Sequence, residues 1–480
     1  MEIKDKDLAS LQQVRTLLYN ANEAKKQMAK MSQQQLDNIV KAIAESGADN
    51  AQRLAKLAAE ETGFGKWQDK EIKNLFASKN VYESVKNIKT VGLIKTDDEK
   101  GVREYACPVG VIGALVPSTN PTSTVIYKSI IAIKSGNPIV FSPHPKALNC
   151  ILETVKVKYK AAVDAGLPGG GISCITIPTV QATEELMRHK YTNLILATGG
   201  PGMVKAAYSS GTPAIGVGAG NGPAFIDKTA DVDMAVKRII ASKTFDNGTI
   251  CASEQSIVIE KCMEDTVIDF LKKYGAYIMS DEDSKKLAKI LFKNGKMNAE
   301  IVGKPASYVA KQAGINVPDD VTVLIARETS VGINAPYSQE KLTPVLALYV
   351  ESNLEKAMEK CVDILRFEGV GHSFMLHCTD AELADKFAKV IPASRILVNT
   401  SGSLGGVGAT TNLFPALTLG CGAEGGSSSS NNIGPLDLIN IKRVAFGVRE
   451  IDDIKKTETH QTITADMVEY IVSSVMKKLI

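Results

Sequence analysis

The chain has 480 residues, 44% apolar and 23% charged, with 56 basic side chains against 53 acidic and a formal net charge of +3. Such a length calls for two or three domains, and the apolar content suffices for large cores. The even charge balance gives no electrostatic case for a nucleic-acid or membrane-surface partner, and no apolar run approaches the roughly 18 residues of a spanning helix.

The N-terminus, MEIKDKDLASLQQ, is charged and lacks the apolar core of a signal peptide, so a cytoplasmic protein is expected. Residues 7 to about 87 are rich in Ala, Lys, Gln and Glu with apolar spacing near 3.6, which predicts helices. VGLIKT and GVREYACP, joined by DDEK, predict a hairpin within 88–108. VGVIGALVP (109–117) is then a continuous apolar run, the pattern of a strand buried on both faces. Helical and strand-like stretches alternate from there through residue 217, which predicts a doubly wound, mostly parallel sheet.

A second alternating block follows Asp227, with strands at 254–260, 322–328, 345–351, 373–378 and 395–400. Residues 401–434 are rich in Gly, Ser and Asn and too long for an ordinary connector. The apolar cluster Leu413-Phe414-Pro415-Ala416-Leu417 inside them favours an ordered binding loop over a mobile one. The stretch 439–450 is strand-like and able to pair with the early hairpin. The expected layout is therefore α/β: a dinucleotide-binding domain over 1–227, a catalytic domain over 228–434, and a small β element from 88–108 and 435–450. A polar linker over 451–463 and an amphipathic helix over 464–480 close the chain.

Eight cysteines are present: Cys107, Cys150, Cys174, Cys251, Cys262, Cys361, Cys378 and Cys421. No two lie within four residues, so no zinc or redox pair is visible and free thiols are expected, with no metal site. Cys251 has two readings. A lone cysteine is commonly a small core filler. This one follows an Asn247-Gly248 turn, in a loop between a helix and a strand, where a reactive side chain can be held exposed. A nucleophile there would need its thiol pKa lowered. Thr198, Gly199 and Gly200 open a glycine-rich strand-to-helix turn, which can bring N–H groups to phosphate but is not a full dinucleotide fingerprint.

These segments share a resemblance. FDNGTICASEQSIVIE (245–260) resembles the nucleophile segment of the aldehyde dehydrogenase superfamily, and its Ala-Ser-Glu-Gln resembles the coenzyme-A-acylating branch. Residues 118–147, 196–227, 338–349, 368–374 and 417–435 resemble that branch in the same order, over roughly residues 5 to 450.

The resemblance implies Cys251 as nucleophile, with the Asn120 amide and the Cys251 N–H as oxyanion hole. From residues alone, Asn120 is a turn-former before Pro121. It implies a nicotinamide dinucleotide held by Thr198, Gly199 and Gly200, with Ser142, Pro143 and His144 on the adenosine side. Glu340, otherwise an ordinary surface glutamate, would bind the nicotinamide ribose. Ser142 replaces the lysine of other members, which leaves NADP open beside the favoured NAD. His372 is either a structural histidine or a group beside the thioester that polarises or relays a proton.

Where hydrolytic members carry a water-activating glutamate, this chain has Val217 and Gly218. Without that base, an acyl-enzyme would await a second thiol, coenzyme A. The expectation is reversible oxidation of propionaldehyde or acetaldehyde to acyl-CoA, in a homodimer or homotetramer. The alternatives are a hydrolytic aldehyde dehydrogenase, an acyl-phosphate reductase on the same fold, and a scaffold without activity. The terminal helix resembles the encapsulation peptides of bacterial microcompartment enzymes, which would make a shell protein its partner; otherwise it packs on its own or a sister subunit.

Overall fold

A computed structural model describes residues 5–458 and 464–479. The N-terminal third of the helical content lies where the 3.6-residue spacing places it, in Lys6–Met28, Gln33–Asp49, Ala51–Thr62 and Trp67–Leu75. Their boundaries follow from local chemistry. Asp5 caps the first helix by accepting the Leu8 N–H, Ser32 and Gln35 form a reciprocal capping box on the second, and Gly63 closes the third at φ 67°.

The strands run in chain order as β1 (Gly92–Asp97) and β2 (Val102–Pro108), then β3 (Ile112–Val116), β4 (Ile139–Pro143), β5 (Ile172–Cys174), β6 (Leu194–Ala197) and β7 (Ala214–Gly216). There follow β8 (Pro223–Ile226), β9 (Ser256–Glu260), β10 (Ala276–Ile278), the short pair β11 (Phe292–Lys293) and β12 (Lys296–Met297), β13 (Val323–Arg327), β14 (Val345–Glu351), β15 (Gly371–His377), β16 (Ala393–Val398) and β17 (Ile439–Ala445).

They assemble into a five-stranded sheet of order β5-β4-β3-β6-β7 and a seven-stranded sheet of order β10-β13-β14-β9-β8-β15-β16. Neighbours are parallel throughout both. Parallel strands covered on both faces need apolar residues at every position, and β3, β4, β6, β8 and β9 are buried end to end. β1, β2 and β17 form a separate three-stranded sheet.

Contacts divide the chain into two compact units. One holds the residues up to Val91 together with Cys107–Asn440; the other holds Gly92–Ala106 together with the residues from Ile441 onward. Both large sheets fall in the first unit. A single apolar core joins Ile112, Ile139 and Leu196 of the five-stranded sheet to Ile250, Ala252, Val407, Ala416 and Leu419. Residues 401–434 are ordered, with a one-turn helix at Gly402–Gly406 and a bridge between Leu419 and Asn432.

The segment expected as a linker is helical over Ile451–Glu458; residues 459–463 of that expectation lie outside the described residues. A final helix, Ala465–Leu479, carries no buried residue. No described helix is long and apolar enough to cross a membrane.

Candidate active site

In the five-stranded sheet the strand order reverses between β3 and β6, the switch point at which open parallel sheets bind ligands beyond their carboxyl ends. Asn120 follows β3, Thr198 to Gly200 follow β6, Ser142 and Pro143 end β4, and His144 follows it. The seven-stranded sheet meets them with its opposite ends. Gly220 precedes β8, Cys251 precedes β9, and Glu340 precedes β14. A cavity of about 660 Å³ lies between, lined by Asn120, Ser142, Pro143, His144, Thr198, Gly199, Gly200, Cys251 and Glu340 together. That is the size of an ordinary small-molecule site, ~300–1,000 Å³.

Cys251 sits on a short turn after the helix Val232–Thr244. Asp246, Asn247 and Gly248 adopt φ of 48°, 51° and 77°, three left-handed residues in a row. Asp and Asn tolerate that region better than other residues with a side chain, and such strain collects at functional sites. Cys251 is half-buried, and the expected lowering of its pKa is not met: burial pushes the thiol up to about 12. The Glu340 carboxyl acts the same way, and the Arg395 guanidinium opposes it. Enclosure outweighs the one cation that favours the thiolate.

The Asn120 amide is held at both ends. Its Oδ1 accepts from Lys73 Nζ at 2.6 Å, and its Nδ2 donates to the Thr249 carbonyl at 3.1 Å. Glu340 Oε1 accepts the Gly220 N–H at 3.0 Å, and burial first, then Glu368, raises its carboxyl to about 7. Ser142 Oγ lies 2.9 Å from Thr183 Oγ1 on the helix Val180–Arg188, whose Glu184 also lines the cavity. His144 is exposed, and its Nδ1 accepts the Lys146 N–H.

His372 is not among the lining residues. It is fully buried in β15, its Nδ1 is 3.0 Å from Ser373 Oγ, and burial, then Arg395, lowers its pKa to about 3. It is therefore neutral near pH 7, which fits the packed reading and removes the imidazolium needed to give up a proton.

The residues fit a dinucleotide. Thr198 Oγ1 is shut from solvent with no partner, and a Cβ built on Gly200 or Gly202 would meet nothing within 4 Å. The helix Pro201–Tyr208 starts here without a side-chain cap; Pro201 has no N–H and the Met203 N–H donates to the Gly200 carbonyl, which leaves the Gly202 N–H available to an anion. Leu417, of the cluster expected in a binding loop, lines the cavity; sequence reasoning missed Lys73, Glu184, Ile250, Val407 and Leu419, which line it too. Lys73 lies far upstream, on a helix whose lysines look like an ordinary solvated face. Among the described residues no cluster of three His, Cys, Asp or Glu side chains could hold a metal ion.

Residues 2–287 match the Aldehyde dehydrogenase family. The chain belongs to this family. As an aldehyde dehydrogenase family member it is 44% identical over 91% of its length to the bifunctional aldehyde-alcohol dehydrogenase of Escherichia coli (strain K12), of which it covers 50%. It spans about half the length of that curated relative. Among solved structures it is similar to the acetylating aldehyde dehydrogenase of Geobacillus thermoglucosidasius, with 50% identity, a TM-score of 0.92 and coverage of 94% of this chain and 99% of that one. It is also similar to the crystal structure of a probable aldehyde dehydrogenase from Listeria monocytogenes EGD-e, with 60% identity, a TM-score of 0.93 and coverage of 94% of this chain and 100% of that one.

Proposed function

We propose that the chain is a coenzyme-A-acylating aldehyde dehydrogenase that converts a short aldehyde, propionaldehyde or acetaldehyde, reversibly to its acyl-CoA. The observation that carries this reading is the wall beside Cys251: Val217 and Gly218 line the cavity where hydrolytic members place a glutamate. A thioester there has no carboxylate at that position to activate water.

Cys251 adds as thiolate to the aldehyde carbonyl; the Arg395 guanidinium favours that charged form, against burial and the Glu340 carboxyl, which oppose it. Asn120 Nδ2 and the Cys251 N–H receive the developing oxyanion. Bound NAD supplies the hydride acceptor that turns the hemithioacetal into a thioester. The thiol of coenzyme A then attacks the Cys251 thioester and releases acyl-CoA. Ile250, Val407, Leu417 and Leu419 give the acyl group an apolar wall, which suits a short uncharged chain.

Thr198, Gly199 and Gly200 bind the dinucleotide phosphates, and Ser142, Pro143 and His144 its adenosine. Glu340 binds the nicotinamide ribose. Ser142 supplies no positive charge for a 2′-phosphate, and Glu184 on the neighbouring helix would repel one, so NAD is the partner the wall favours over NADP. His372 packs behind the site.

The terminal helix Ala465–Leu479 exposes Val468, Ile471, Val472, Val475 and Leu479, an apolar stripe suited to a groove on a microcompartment shell protein. The enzyme acts as a homodimer or homotetramer.

The test is NADH formation from aldehyde with and without coenzyme A. Sustained turnover requires coenzyme A on this reading. Turnover to free acid in its absence establishes the hydrolytic alternative, and dependence on inorganic phosphate an acyl-phosphate reductase.

A further inference from the structure

The helix Trp67–Leu75 carries two lysines three residues apart, Lys70 and Lys73, which share a face. Both are almost fully buried, at 2% and 4% exposure. Both ammonium groups converge on one carboxylate oxygen, Asp246 Oδ2, at 2.9 Å from Lys70 and 2.5 Å from Lys73. Asp246 also accepts from the Lys66 N–H and from Thr249 Oγ1, and its own N–H donates to Asp69.

The two lysines diverge beyond that shared partner. Lys70 donates to the Thr119 carbonyl at 3.0 Å. Lys73 donates to Asn120 Oδ1 at 2.6 Å and to the Thr249 carbonyl at 3.3 Å, and it lines the cavity. Burying two cations against one carboxylate is costly, because each loses its hydration. A fold that needed only to anchor the nucleophile turn could do so with Lys70 and Asp246 alone. The second cation addresses the one group in reach that has two chemically different ends. An amide turned by 180° would present an acceptor where a donor is needed. An ammonium has three donors and no acceptor, so it can hold only the oxygen end.

We infer that Lys73 is a positioning residue for the Asn120 amide: it fixes Oδ1 on its own side, directs Nδ2 to the nucleophile turn, and so prepares the donor that meets the oxyanion formed on addition of Cys251. Lys73 acts through Asn120 and touches no reacting atom. This inference rests on the thioester chemistry proposed above. Burial, opposed by Asp246, lowers the Lys73 pKa to about 8, so its proton is less tightly held than an ordinary lysine's.

The experiment compares Lys73→Met, Lys73→Arg and Lys70→Met in the full chain, reading the rate of thioester formation on Cys251 by rapid quench and intact mass after mixing with aldehyde and NAD. Lys73→Met slows this step 10- to 100-fold with the NAD KM unchanged. Lys73→Arg, which still donates, recovers most of the rate. Lys70→Met also removes a partner of Asp246, but it loses thermal stability without slowing the step to that extent. In an Asn120→Ala background, Lys73→Met adds less than about a twofold further effect, because the coupled group is gone. Equal slowing by Lys70→Met and Lys73→Met, or a full Lys73 effect that persists without Asn120, overturns the inference and assigns Lys73 a structural part. A wild-type chain that forms no thioester overturns the proposed function itself.

Discussion

The carbonyl oxygen of Cys251 lies against the α-carbon of Gly220, so closely that a Cβ there would stand 1.7 Å from it. The same residue gives its N–H to Glu340. Backbone of the β8 approach thus sets the position of Cys251, and no side chain can be admitted. Gly220→Ala is expected to push the Cys251 backbone away and cut thioester formation by about 100-fold, the scale on which an ångström of misplacement acts. The check is single-turnover acylation, with circular dichroism to show an intact fold.

Gly218 is the contrasting case. A Cβ there would meet only Cys421 Sγ, at 3.9 Å, an ordinary contact. A Cβ is therefore tolerated at 218, and Gly218→Glu restores a carboxylate where the resemblance places that of hydrolytic members. The expected outcome is NADH formation without coenzyme A and release of free acid, with hydrolysis of the thioester rising by ~10²-fold or more. Product analysis by chromatography decides it.

Glu254, three residues past Cys251, is fully buried; its Oε1 accepts the Gly402 N–H and its Oε2 has no partner. Burial raises its pKa from 4.5 to about 7. An acid raised on folding adds stability below its unfolded pKa and loses it as pH climbs through the folded value. The penalty for holding the carboxylate at pH 8 is on the order of 3 kcal/mol. Glu254→Gln is expected to match wild type near pH 4.5 and exceed it at pH 8. Urea unfolding at the two pH values measures the difference; a gain that does not vary with pH contradicts this account.

Glu340→Gln keeps the shape and one acceptor but removes the charge. A hydrogen bond to a charged group is worth ~1 kcal/mol more than a neutral one, so at pH 8, above the raised Glu340 pKa, the NAD KM should rise about fivefold. The coenzyme A KM should not move. Steady-state kinetics with each substrate varied separately tests both statements.

Truncation after Glu450 removes both terminal helices, whose described side chains are all exposed but for the half-buried Ser474. Activity in solution is expected to survive, and co-sedimentation with microcompartment shell proteins is expected to be lost. Retained co-sedimentation would place the shell contact elsewhere.

Much of this arrangement was legible in the sequence for a clear reason. β3 is apolar throughout and β4 is apolar but for Ser142, because both faces are covered, and glycine and proline mark the turns where Cys251, Thr198 and Asn120 stand. β8 was not legible: four residues opening on Pro223 between Gly222 and Asp227 look like a loop. Proline is nevertheless tolerated as the first residue of a strand. The direction of the Cys251 pKa shift depends on enclosure, which no local pattern encodes. Lys70 and Lys73 look like a solvated helix face until Asp246, 176 and 173 residues away, is brought against them.

Those sequence separations bear on the order in which the molecule matures. Asp246, Asn247 and Gly248 hold left-handed conformations that local sequence alone would not maintain, and the Asp246 carboxylate is anchored by a helix from the opposite end of the chain's first half. On a ribosome, that helix emerges long before the turn it must grip. The thiol therefore reaches its working position only when the two halves of the site close together. Until then Cys251 is one unplaced cysteine among eight, and the chemistry switches on with completion of the fold.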